Sequence, residues 1–114
     1  MALTNASKEA AATAVTALGS YVSLHTGDPG TSGASEASGG SPAYARQQTT
    51  WTAGAADGVV DGSQVTVDVP AGTYTHFGLW SAATGGTFVG GGSIASTTLA
   101  AQGQIKVTPS YTQS

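Results

Sequence analysis

Hydrophobic and polar positions alternate most cleanly at Val65, Val67 and Val69, with Thr66 and Asp68 opposite, which predicts a strand buried on one face. Pro70-Ala71-Gly72 supplies turn chemistry directly after it, so a hairpin into residues 73–81 is expected. That segment places Thr75, Phe77 and Leu79 on one side and Tyr74, His76 and Trp80 on the other. Ala83-Thr84-Gly85-Gly86 then turns the chain into a return strand over residues 87–96. Its Gly90-Gly91-Gly92 run predicts a bulge or a close backbone approach. Ile105, Val107 and Pro109 mark a last strand. Upstream, residues 21–26 alternate, with Val22 and Leu24 on one side and Tyr21, Ser23 and His25 on the other. Residues 44–52 read as a strand ending at Trp51. Turns are expected over residues 53–58 and at Asp61-Gly62, on either side of Val59-Val60.

The period changes near the N-terminus. Thr4 or Asn5 can cap a helix with Glu9 in its first turn and Ala11, Ala14, Val15 and Leu18 on one face, and Gly19 can close it in a left-handed conformation. The stretch is too weakly apolar, and lacks the basic lead, for a secretion signal. So narrow an alanine face is not stable alone and must lie against a sheet or a neighbouring subunit. Residues 27–42 carry almost nothing that could enter a core and read as a long loop or arm. The expected fold is mainly β, a small β-sandwich or barrel of about six to seven short antiparallel strands with one N-terminal helix. It is expected as a single domain over residues 1–114, with a helix at 4–18, the loop at 27–42 and a β-rich body at 43–110.

Composition narrows this picture. Ala (20), Gly (17), Thr (17) and Ser (13) fill more than half of the 114 positions, so the core is thin and self-association or docking on a larger surface is expected to stabilise it. Three basic residues, Lys8, Arg46 and Lys106, face six acidic ones, giving a net charge of −3 and too few cations to neutralise a run of phosphates, so no nucleic-acid partner is expected. Between Val69 and Ile105 there is no Asp, Glu, Lys or Arg, yet Gly, Thr, Ser and Gln interrupt the stretch too often for a membrane span. The absence of cysteine removes disulfides and thiolate chemistry.

Candidate chemistry is sparse. His25 and His76 sit on alternating strands beside aromatics and read as structural histidines. Asp57-Gly58 and Asp61-Gly62 miss the alternating oxygen ligands of a calcium loop. The glycine run at 86–92 lacks the Lys-Ser/Thr and the helix of a phosphate loop, and no Gly-x-Ser-x-Gly nucleophile turn occurs. No catalytic, cofactor or metal residue is assigned, and no enzyme is expected. Trp51, Tyr74, Phe77, Trp80 and Phe88 supply the main packing mass, or alternatively an exposed stacking platform.

Three segments are more specific than these motifs: YVSLHTGDPG at 21–30, EASGGSPAYARQQTTW at 36–51 and THFGLWSAATGGTFVGGG at 75–92. Together they resemble a family of small virion proteins of actinobacterial and other tailed bacteriophages, described variously as minor capsid, minor tail or tail fibre proteins. The shared order is an N-terminal helix, a strand ending in Thr-x-Asp-Pro, a Gly-Gly-x-Tyr-Ala-Arg segment and a Thr-His-Phe-Gly strand. Ser41-Pro42-Ala43 departs from it by separating the double glycine from Tyr44. The resemblance implies a non-enzymatic virion protein without cofactor. Within that class the expected role is capsid decoration, on the capsid surface, bound to the major capsid protein and homo-oligomeric, with a trimer plausible. Arg46, Asp28, Pro29, Glu36 and Tyr44 are the candidate interface residues. Arg46 would pair across a subunit boundary, or within the chain with Asp68 or Glu36. The alternatives are a tail fibre or tail-tip component that recognises the host surface, and a soluble carbohydrate-binding module displaying Trp51 and Trp80.

Overall fold

The computed structural model of the chain describes residues 1–113. It holds one helix, α1 (Asn5–Thr16), and nine strands. Four of the strands form one antiparallel sheet in the order β2-β1-β6-β7, comprising β1 (Tyr21–His25), β2 (Gln47–Gln48), β6 (Gly72–Trp80) and β7 (Phe88–Leu99). Three more, β3 (Trp51–Ala53), β4 (Val59–Gly62) and β9 (Ser110–Thr112), form a second sheet on which α1 packs. The remaining pair, β5 (Val65–Val69) and β8 (Gly103–Val107), is also antiparallel. The mainly β class with a single helix therefore holds, with more strands than the sequence suggested because residues 44–52 and the C-terminal segment each divide. The body measures 46 × 22 × 22 Å, about twice as long as it is wide.

The hairpin expected between β5 and β6 does not form. Val65, Val67 and Val69 lie on one face of β5 as predicted, but β5 pairs with β8 over Val65↔Val107 to Val69↔Gly103. At Pro70-Ala71-Gly72 the chain crosses to the other layer, and the Tyr74 hydroxyl fixes the corner by donating to the Pro70 carbonyl at 2.8 Å. The β5–β8 pair then closes over one face of the large sheet. Val22, Leu24, Tyr74 and Leu79 from that sheet meet Val65, Val67, Val69, Ile105 and Val107 in the main core. Tyr74 joins Leu79 there, against the simple alternation, because the β6–β7 register shifts between Tyr74 and His76.

The glycine run behaves otherwise than a bulge. Phe77↔Gly92, Gly78↔Gly91 and Leu79↔Gly90 pair in regular register, and the irregularities flank the run. Close approach is its role. A Cβ on Gly91 would lie 2.5 Å from the Phe77 carbonyl oxygen and 2.9 Å from Pro29 Cγ.

The helix differs in detail from its prediction. Thr4 is the N-cap, its hydroxyl accepting from the Ser7 amide at 3.1 Å. The buried positions are Ala12 and Thr16, while Ala14 and Leu18 are exposed, so the face against the sheet is rotated from the one read in the sequence. Glu9 lies beyond the first turn and accepts from the Gly58 amide at 3.0 Å instead, tying the helix to the turn before β4. The helix ends on Ala17 in a right-handed conformation, and Gly19 serves another need: a Cβ there would sit 2.6 Å from the Trp80 carbonyl oxygen. Asp61-Gly62 is not a turn but the end of β4, and Trp51 begins β3 rather than ending a strand.

Candidate functional site

Both faces of β1 are covered, although its alternation suggested one. Val22 and Leu24 enter the main core, while Ser23 and His25, both 0% exposed, face the opposite way beneath Trp80 and Phe88. Residues 27–42 provide the rest of that cover. They do not extend as an arm: the Thr26 amide donates to Ser35, the Ala37 amide donates to Leu24, and Glu36 bridges His25.

This fold-back brings three of the candidate interface residues together. The Arg46 guanidinium grips Glu36 with two parallel bonds of 2.9 Å, Nε to Oε2 and Nη2 to Oε1, and its Nη1 donates to the carbonyls of Ala82 (3.1 Å) and Gly85 (2.8 Å). The Tyr44 hydroxyl donates to the same carboxylate at 2.7 Å and accepts from the Leu24 amide at 3.2 Å. The guanidinium carbon lies 3.7 Å above the Trp80 ring. A bidentate fork with a stacked face is a task for arginine that lysine's point charge does not fulfil. Arg46 thus pairs within the chain, with Glu36 and not Asp68, whose Oδ1 accepts from Gln104.

Beneath the stacked indole the network continues. Trp80 Nε1 donates to Ser23 Oγ at 2.9 Å, and Ser23 lies 2.7 Å from His25 Nε2. His25 Nδ1 is 2.7 Å from the Ala34 carbonyl, an acceptor only, so the ring proton belongs on Nδ1 and Ser23 donates to Nε2. A serine on a histidine oriented by a third group has the outline of an activated nucleophile. Here all of it is sealed: neither residue has any exposed surface to offer a substrate.

The remaining candidates sit apart. Asp28 is exposed and accepts from the Gly30 amide at 2.9 Å, closing a turn. Pro29, offered as an interface residue, is buried, with its ring against Gly91. Trp51 and Trp80 lie on different sheets and form no common platform; Trp51 Nε1 is tied to the Gly19 carbonyl at 3.0 Å. Trp80 stacks edge-on with Phe88 at 5.1 Å. An open cavity of about 290 Å³ lies over the ion pair, lined by Glu36, Tyr44, Arg46 and residues 83–85.

The charges here set a pH dependence. Burial lowers the His25 pKa below its ordinary 6.5, more than the Ala34 bond raises it, so the folded chain holds a neutral imidazole. Burial also presses the Glu36 carboxyl upward, yet the bonds from Arg46 and Tyr44 and the arginine's charge outweigh it and hold the group below its ordinary 4.5. In both cases the unfolded chain takes up the proton first as pH falls. Stability from His25 is therefore complete above pH 6.5 and declines below it. That from Glu36 is complete above 4.5 and declines in turn. Thermal melts between pH 8 and 4 should show a fall beginning in the His25 window, with His25→Gln removing that first part. A midpoint constant from pH 7.5 to 5.5 would contradict the buried neutral ring.

A protein-family model described as podophage GP4 fiber I protein gp80 matches residues 2–112. The chain belongs to that family. It is accordingly a structural protein of a bacteriophage virion. No curated protein matches it. The match covers α1 and all nine strands, so the Arg46 cluster lies within the part shared with the gp80 family. Sequence reading missed Ser23 and Trp80 as partners of His25 in one network. A serine and a histidine at spacing two on a strand carry no signal of what crosses from the next one.

Proposed function

We propose that this chain is a building element of the phage tail fibre. The family match over residues 2–112 carries the reading, since the family is described as a fibre protein. It supports the tail-fibre alternative better than the capsid decoration expected from sequence. The elongated body, 46 Å by 22 Å, suits serial arrangement along a fibre. Other fibre subunits then replace the major capsid protein as neighbours. A stacking role in host recognition draws no support from Trp51 and Trp80, which lie on different sheets, the Trp80 ring being covered by the Arg46 guanidinium. The clamp formed by Arg46 and Glu36 holds loop 27–42 against the turn after β6 and gives the element a fixed shape.

Quantitative mass spectrometry of purified virions, with cross-linking, tests this. The expected result is a low copy number per particle and cross-links to tail components. Copies in a fixed ratio to the major capsid protein, cross-linked to it, would return the chain to the head.

A further inference from the structure

The large sheet has two edges of very different character. On one side β2 offers two residues, Gln47–Gln48; on the other β7 offers twelve, Phe88–Leu99, with no strand paired to its outer side among the described residues. Natural sheets guard such an edge with lysine, proline, bulges or a covering segment. Here β7 contains neither a charge nor a proline. Its two irregularities leave the run Gly90-Gly91-Gly92-Ser93 between them in regular register. Beside that run opens an apolar groove of about 490 Å³, lined by Val15, Leu18, Phe77, Leu79 and Val89. Leu18, on its rim, is 62% exposed, one of two large hydrophobic side chains so displayed among the described residues.

We infer that β7 is a self-assembly edge, on which a second copy of this chain pairs its own β7 antiparallel about a two-fold axis at the glycine run. The occupant must bring an unpaired edge of matching length, and among the described residues of the large sheet only β7 itself provides one. In a two-fold antiparallel contact, residues equidistant from the axis on either side meet, and a charge near the axis would be held close to its own copy; β7 has none. Glycines at the crossing let the backbones meet without side-chain conflict, and the groove with Leu18 from each copy continues the contact as an apolar border.

The inference concerns the purified chain and does not rest on where it sits in the virion. Sedimentation equilibrium should give twice the 11.1 kDa chain mass. Ser93→Lys and Leu18→Lys should each weaken the dimer by roughly tenfold or more, with unchanged circular dichroism. Ala55→Lys, in the exposed turn before β4, should leave it intact. In the unaltered protein the amides of residues 90–93 should exchange more slowly as concentration rises, which tests the edge even where Ser93→Lys fails to fold. A chain that stays monomeric at its highest soluble concentration, a trimer mass, or a dimer indifferent to both substitutions would overturn the pairing.

Discussion

Replacing Arg46 with alanine is expected to destabilise the fold by about 3 kcal/mol, at the lower end of what breaking a buried ion pair costs. The side chain is only 9% exposed and its Glu36 partner 20%. The loss has three parts. Glu36 keeps a single donor, the Tyr44 hydroxyl, for a carboxylate withdrawn from water. The carbonyls of Ala82 and Gly85 lose their donor, and the Trp80 ring loses its cationic cover. Arg46→Lys should recover only part of this, since an ammonium cannot span both carboxylate oxygens while lying flat on an indole. Chemical denaturation gives the magnitude, and a cycle with Glu36→Gln separates the pair from its surroundings: the double variant should cost clearly less than the two single losses added together. A loss for Arg46→Ala within ~0.5 kcal/mol of zero, the range of an ordinary surface change, would mean that the cluster is a solvated surface pair.

How much of this could be read from sequence depends on which periodicity each residue serves. The valines of β5 were legible because one face is buried and the other is not, so the period of two survives. Its pairing was not, because turn chemistry at Pro70-Ala71-Gly72 is the same whether the chain reverses within a sheet or crosses between layers. On β1 the alternation misled for a different reason: Ser23 and His25 look like a solvent face, but Trp80, Phe88 and loop 27–42 cover it and supply the hydrogen bonds that these polar side chains need. That cover also hid the cluster. Arg46, Glu36 and Tyr44 could be singled out as the rare charged or phenolic residues of a small-residue chain, and Glu36 was among the partners considered for the arginine. Their common meeting point depends on the fold-back of a loop made mostly of Gly, Ser and Ala, whose side chains encode no direction.

A methyl group at Gly78 tests the other half of the network. Gly78 lies mid-strand on β6, opposite Ser23 on one side and Gly91 on the other. A Cβ there would come within 2.6 Å of Ser23 Oγ, 2.8 Å of His25 Nε2 and 2.8 Å of Phe88 Cε1. None of the first two can retreat freely, because Ser23 is held by Trp80 as well as by His25, and His25 by the Ala34 carbonyl. Gly78→Ala should therefore destabilise by roughly 3 kcal/mol, combining the overpacking of a filled site with the disturbance of a buried hydrogen bond. Gly54→Ala is the matched control: its Cβ would meet nothing within 4 Å and its φ is not positive, so the change should be neutral or slightly stabilising through the unfolded chain. Equal melting temperatures for the two variants would show that β1 and β6 yield at this point. The buried serine and histidine would then be loosely held, and loop 27–42 would be fixed by its backbone bonds to β1 and the arginine clamp without them.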